Sequence, residues 1–192
     1  MLLRIATIMT LALFALATPT SASYETGWYA YSAGDFATAR REWLPLAEGG
    51  DARSQYQLGL MELKGEGAAA DAAIALKWFR LAADQGYTPS LVNLAELYYT
   101  GRGATHDHDQ AASLYTTAAR QGNAEAQYAL GSLYIRGHGV EKDLTRAHMW
   151  LSIAGMRGLR IARNRRSEIE PMMTADQLAE AKTLRQKQLG LN

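Results

Sequence analysis

The sequence predicts an all-α protein, a solenoid of antiparallel helix pairs. Three observations carry that prediction. A 36-residue unit occurs three times in a row without an insertion, as Asp51 to Gly86, Tyr87 to Gly122 and Asn123 to Gly158. Of the 17 Gly in the chain, most stand at fixed places in that unit, where they end helices. Only 4 of the 192 residues are Pro, which breaks helices. A repeat of this length marks a stack of two-helix units, because one unit cannot bury its apolar face alone.

Each unit reads as two helices. In the first unit, helix one runs from about Ala52 to Leu63 and ends at the pair Gly65/Gly67, matched by Gly101/Gly103 and Gly137/Gly139. Leu58, Leu94 and Leu130 correspond within it, as do Gly59, Ala95 and Gly131. Helix two begins at Asp71, Asp107 or Asp143, each an N-cap acceptor. Gln110 three residues after Asp107 suggests a capping box, and Thr88-Pro89 suggests a cap followed by Pro at the first helical position. Ala75, Ala111 and Ala147, then Ala82, Ala118 and Ala154, recur in helix two, where small side chains allow close packing. Trp78, Leu114 and Trp150 share one large apolar position. Outside the repeats, Tyr24 to Tyr31 and Asp35 to Gly50 read as an N-terminal capping pair within residues 23–50. Residues 159–192 read as C-terminal capping helices: one from Leu159 to Glu170, a stop at Pro171, and another capped by Thr174 with Gln177. Met173 and Leu178 stand where a hydrophobic staple would.

Residues 1–22 read as a cleaved signal peptide. Arg4 precedes an apolar run from Ile5 to Ala17, and Thr20-Ser21-Ala22 offers small residues at a cleavage site. The run is shorter than the roughly 20 residues that a bilayer span requires. Loss of Arg4 leaves 19 Lys+Arg against 19 Asp+Glu, a formally neutral mature chain that does not suggest nucleic acid as a partner. The expected location is the periplasm or the medium. Cysteine is absent, which excludes disulfides, thiolate zinc sites and a cysteine nucleophile.

The run from Ala126 to Val140, followed by Asp143, Ala147, Trp150 and Ala154, resembles a Sel-one-like repeat, a branch of the tetratricopeptide-like helical repeats. The resemblance covers roughly residues 34–158. Ala95 and Leu114 depart from the pattern, which usually has Gly and Trp or Tyr there. The resemblance implies a right-handed α/α solenoid whose first helices line a concave face. It also implies an adaptor that holds a protein or peptide partner, with secreted bacterial members tied to signalling, envelope assembly or host interaction. Carried over by position, the concave-face residues are Arg53, Tyr56, Leu60 and Lys64 in the first unit, Val92, Glu96 and Tyr99 in the second, and Tyr128, Ser132, Ile135 and Arg136 in the third. Their steps of three and four put each set on one helical face. Tyr56 and Tyr128 fit equally a place in that face and a place packed between repeats. Leu60, Glu96 and Ser132 occupy one equivalent position yet differ in kind, as surface residues do.

No motif of known chemistry is present, so no enzyme, cofactor or metal is expected and a monomer is preferred. His106-Asp107-His108-Asp109 contains metal-ligand types, but adjacent loop residues diverge and Asp107 serves as a cap. His138 is expected in solvent and His148 partly buried. Two alternatives accompany the adaptor reading. One is a hydrolase with a polar pocket near Glu96 or His148. The other is docking to a membrane surface through Arg157, Arg160, Arg163, Arg165 and Arg166, which otherwise form a solvated face offset by Glu168 and Glu170.

Overall fold

The structure is a computed structural model that describes residues 22–191. The expected signal peptide, residues 1–22, lies outside the described residues save for Ala22. Ten α-helices and no strand occur among the described residues. They are α1 (Tyr24–Ser32), α2 (Phe36–Glu48), α3 (Ala52–Lys64), α4 (Ala72–Asp84), α5 (Thr88–Thr100), α6 (His108–Arg120), α7 (Ala124–Arg136), α8 (Leu144–Met156), α9 (Arg160–Ile169) and α10 (Ala175–Gln188). Each helix packs on the next from α1 to α9, which makes an all-α repeat solenoid. None of them is long and apolar enough to cross a membrane.

The helix starts follow from side-chain acceptors. Asp71, Asp107 and Asp143 all have extended backbones and accept from amides in the first turns of α4, α6 and α8. Asp35, Asp51 and Asn123 likewise accept from first-turn amides of α2, α3 and α7. Each such cap contributes about 1 kcal/mol. Thr174 and Gln177 form the full reciprocal box at α10. Two local expectations change. Asp107 accepts from the Gln110 amide without a return bond. Thr88 is not the cap of α5: Tyr87 holds that place with no side-chain bond, and the Thr88 hydroxyl donates to Gln121 of the same unit at 2.6 Å. Pro89 stands in the first turn of α5, where its fixed φ suits the helix and its missing N–H costs nothing, so the helix starts without a cap side chain.

Packing follows the repeat. Ala75, Ala111 and Ala147 are fully buried, as are Ala82, Ala118 and Ala154. A Cβ on Gly59 would stand 2.6 Å from the Phe79 ring, and one on Gly131 would stand 2.9 Å from Leu151. The second glycine of each loop makes the joint between units. A Cβ on Gly67, Gly103 or Gly139 would lie 2.9, 2.4 or 2.0 Å from Phe36, Ala72 or His108, the residues that open α2, α4 and α6. All three glycines have positive φ. Buried glutamines tie units together: Gln55 donates to the Ala47 carbonyl and Gln127 to the Ala119 carbonyl, near the ends of α2 and α6. Those carbonyls also accept from the Gly50 and Gly122 amides just past the helix ends.

The last helix departs from the stack. α10 packs mainly on α8 and not on α9, so it does not act as the second helix of a fourth pair. Its Leu184, followed by Leu189, packs against the core cluster that holds Met149 and Trp150.

Candidate functional site

The first helices of consecutive units present side chains to one open face. Between α5 and α7 this face forms a cleft of about 150 Å³, lined by Glu96, Tyr99, Tyr115, Tyr128, Ala129, Ser132, Leu133 and Arg136. Five of the eleven residues expected on the partner face therefore meet in one cleft. Glu96 and Tyr99 are three apart on α5, while Tyr128, Ser132 and Arg136 are four apart on α7, so each set projects from a single helical face. A second cleft of about 330 Å³ opens on the other side of the same α7 ridge, between Tyr128, Ser132 and Arg136 and the α9 residues Ile161, Asn164, Arg165 and Glu168. Asn164 and Glu168 lie 36 residues after Tyr128 and Ser132, so the groove keeps the period past the third unit.

The cleft is built from hydrogen-bonded aromatic and charged groups. The Tyr115 hydroxyl donates to Glu96 Oε2 at 2.8 Å. Tyr115 is 4 % exposed, and burial, with the Glu96 carboxylate beside it, pushes its phenol well above the ordinary range. It therefore stays a donor and holds the carboxylate in place. Arg136 donates to the Tyr99 hydroxyl at 2.7 Å, and that hydroxyl lies 3.3 Å from His138 Nδ1. Ser132 returns its hydroxyl to the Tyr128 carbonyl.

The other six expected residues lie outside this cleft and make contacts within the fold, with Arg53 and Lys64 still exposed. Arg53 lies over the Tyr24 ring at 4.3 Å, and Lys64 donates to the Tyr31 hydroxyl at 3.0 Å, so the N-terminal pair engages both. Tyr56 packs edge-on against Tyr87 and beside Phe79, between repeats. Leu60 and Val92 are half-buried against the central core, and Ile135 against the core of α8 and α9.

Two features escaped the sequence reading. Tyr115 takes a place held by Phe79 and Leu151 in the other units; its hydroxyl there was the available signal. The second is a histidine stack. Gly139 crosses the His108 carbonyl, and this brings the His138 ring onto His108 at 4.3 Å and 12°, with His106 edge-on at 4.2 Å. His138, expected in solvent, is thus half-buried in a joint beside Tyr99. Among the described residues no group of three or more His, Cys, Asp or Glu is arranged to hold a metal ion.

His148 is half-buried, with Nε2 at 3.1 Å from Glu170 and Nδ1 at 3.5 Å from the Ser152 hydroxyl. The order Ser–His–Glu resembles a hydrolytic relay, yet Ser152 is only 1 % exposed, so its hydroxyl has no path to a substrate carbonyl. The arginine cluster does not share one face. Arg165 pairs with Glu168 at 2.7 Å and Arg166 with Glu170 at 3.1 Å, Arg157 lies beside Leu189, and Arg163 covers Gly155.

The comparison with protein families decides the assignment. The Sel1 repeat model matches residues 52–87, 88–123 and 124–159, more than half of the chain. The chain belongs to the Sel1 repeat family. Among solved structures, a Sel1 repeat protein from Oxalobacter formigenes is 27 % identical with a TM-score of 0.73, over 77 % of this chain and 60 % of that one. The protein c5321, a protective antigen of uropathogenic Escherichia coli with an SLR fold, is 26 % identical with a TM-score of 0.61, over 87 % of this chain and 44 % of that one. The chain thus spans less than two thirds of the length of either. No curated protein matches the chain in sequence. A Sel1 repeat scaffold fits a protein-binding helical repeat adaptor.

Proposed function

We propose that the chain is an exported scaffold that captures a segment of a partner protein along the face formed by α5, α7 and α9. The observation that carries the reading is the convergence of Glu96, Tyr99, Tyr128, Ser132 and Arg136 on one cleft. Tyr99 and Tyr128 offer flat apolar area with a polar tip, and aromatic and Arg side chains are the types that dominate binding energy. Glu96 and Arg136 offer opposite charges to an extended backbone and orient it. Tyr115 and Tyr99 hold those two groups before a partner arrives, which lowers the ordering cost of binding. Regulation of envelope signalling or assembly is the setting that export would give such an adaptor.

Photocrosslinking groups at Ser132 and at exposed Lys77 of α4 separate the faces. Crosslinked partners are expected from position 132 and not from position 77. Tyr128→Ala and Arg136→Ala should each weaken capture of the partner so identified by roughly fivefold or more, given about 1–3 kcal/mol for a central contact. Unchanged capture in both variants would sink the groove. Export is tested separately: the mature chain recovered from the periplasm or the medium should begin at Ser23.

A further inference from the structure

We propose that the open notch between α6 and α8, edged by α10, binds a small amphipathic anion, a molecule with an apolar body and a carboxylate or phosphate head. The site is away from the groove and independent of the adaptor reading. It is a cleft of about 550 Å³, within the range of small-molecule sites. Tyr134, Met149, Trp150 and Leu184 form its apolar wall, and Arg120, Arg146 and Lys187 its charged rim.

The repeat supplies an internal control. One unit earlier the same place is a cleft of about 350 Å³, where Asp84, Tyr98, Gln110 and Leu114 stand 36 residues before Arg120, Tyr134, Arg146 and Trp150. That earlier cleft balances Arg80, bonded to Tyr98, with Asp84 and Asp107. In the later one Asp84 is replaced by Arg120 and Gln110 by Arg146, and α10 brings Lys187. No carboxylate lines it among the described residues. Asp143 touches Arg146 at 3.4 Å from outside, and Arg120 and Lys187 have no carboxylate within 4 Å among the described residues. Arg120 and Lys187 each lie in the last turn of a helix, where a cation is favoured. The dipole explains a cation at each end; it does not explain why three converge on one apolar wall. Converging cations on a low-dielectric wall raise the local concentration of anions. Of the two notches only this one is edged by α10, which packs on α8 and sets Leu184, Lys187 and Gln188 along its side.

The test is calorimetric titration of the mature chain with dodecanoate and dodecyl phosphate below their micelle concentrations. Decanol, inorganic phosphate, an acidic peptide and vesicles containing anionic lipid serve as the other arms. Both anionic amphiphiles are expected to bind at one per chain. Arg120→Asp, which installs the earlier unit's residue, and Lys187→Glu should each weaken binding about tenfold or more, as loss of a charged hydrogen bond does. Gln110→Ala in the earlier notch should leave it unchanged. Circular dichroism confirms that each variant is helical, and Lys187→Glu, exposed on a different element, carries the test if Arg120→Asp does not fold. The proposal is overturned if neither amphiphile binds, if decanol or inorganic phosphate binds as tightly, if only the peptide or only the vesicles bind, or if both charge variants bind like the parent.

Discussion

Burial holds the His148 imidazole below its ordinary pKa, against the opposing pull of Glu170 at 3.1 Å. In the unfolded chain this ring takes up its proton near pH 6.5. In the folded chain it does so at lower pH. The unfolded state therefore binds more protons as pH falls through 6.5, and stability is lost in that window down to the folded value. His108 is displaced in the same direction, by partial burial and by the neighbouring His106 and His138 rings, so it adds to the slope. The melting temperature should be level above pH 7 and drop between pH 7 and 5. His148→Gln should drop less over that interval, and an identical slope would show that the ring is not responsible. The partial burial of His148 was legible in the sequence, but the surroundings of the histidine stack were not. His138 shows why: its environment comes from a loop one unit away.

At the scale of elements, the Gly-x-Gly loops do two jobs that the sequence displays as one. The first glycine ends a helix in the left-handed conformation, an inference available from spacing alone. The second lets the loop cross the opening turn of the preceding unit's second helix, which only the packed structure reveals. Two substitutions separate conformation from crowding. Gly158→Ala has positive φ and no neighbour within 4 Å, so strain alone should cost about 1–2 kcal/mol. Gly139→Ala meets the His108 carbonyl as well and should cost about 2–4 kcal/mol. Chemical denaturation of both variants checks the order. Equal losses would mean that the joint relaxes around the added methyl. Gln55 and Gln127 are part of the same joints, and Leu91 stands at the equivalent position between them, so the tie to the preceding helix is not repeated in the second unit.

For the whole molecule, stability in a solenoid is close to a sum of unit and interface contributions, and an end that is left uncovered is the weak point. α10 covers α8 with Leu184 and Leu189 against the core that holds Met149 and Trp150. A chain ending at Met173 should remain helical but melt at least several degrees lower, with Trp150 emission shifted to the red as water reaches it. An unchanged melting temperature and emission would mean that α10 contributes nothing to the stack. The placement of α10 was not legible in its sequence. Its capping box, Thr174 with Gln177, announces where the helix starts, and says nothing about which neighbour it covers.

The sequence by itself determined the period, the helix starts at Asp71, Asp107 and Asp143, the stops at glycine, and the all-α repeat architecture. These are local matters, decided by backbone groups that must find partners within a turn. The resemblance to Sel-one-like repeats, with helical spacing, also pointed to Glu96, Tyr99, Tyr128, Ser132 and Arg136 among eleven residues. The tertiary structure decided the rest: that the N-terminal pair touches Arg53 and Lys64, that Tyr115 reaches Glu96 through the core, that His106, His108 and His138 stack across a joint, and that α10 edges the cationic notch. Each of these contacts joins residues of different helices or loops, often 20 or more positions apart. Their distance is set by how helices pack and not by any spacing along the chain.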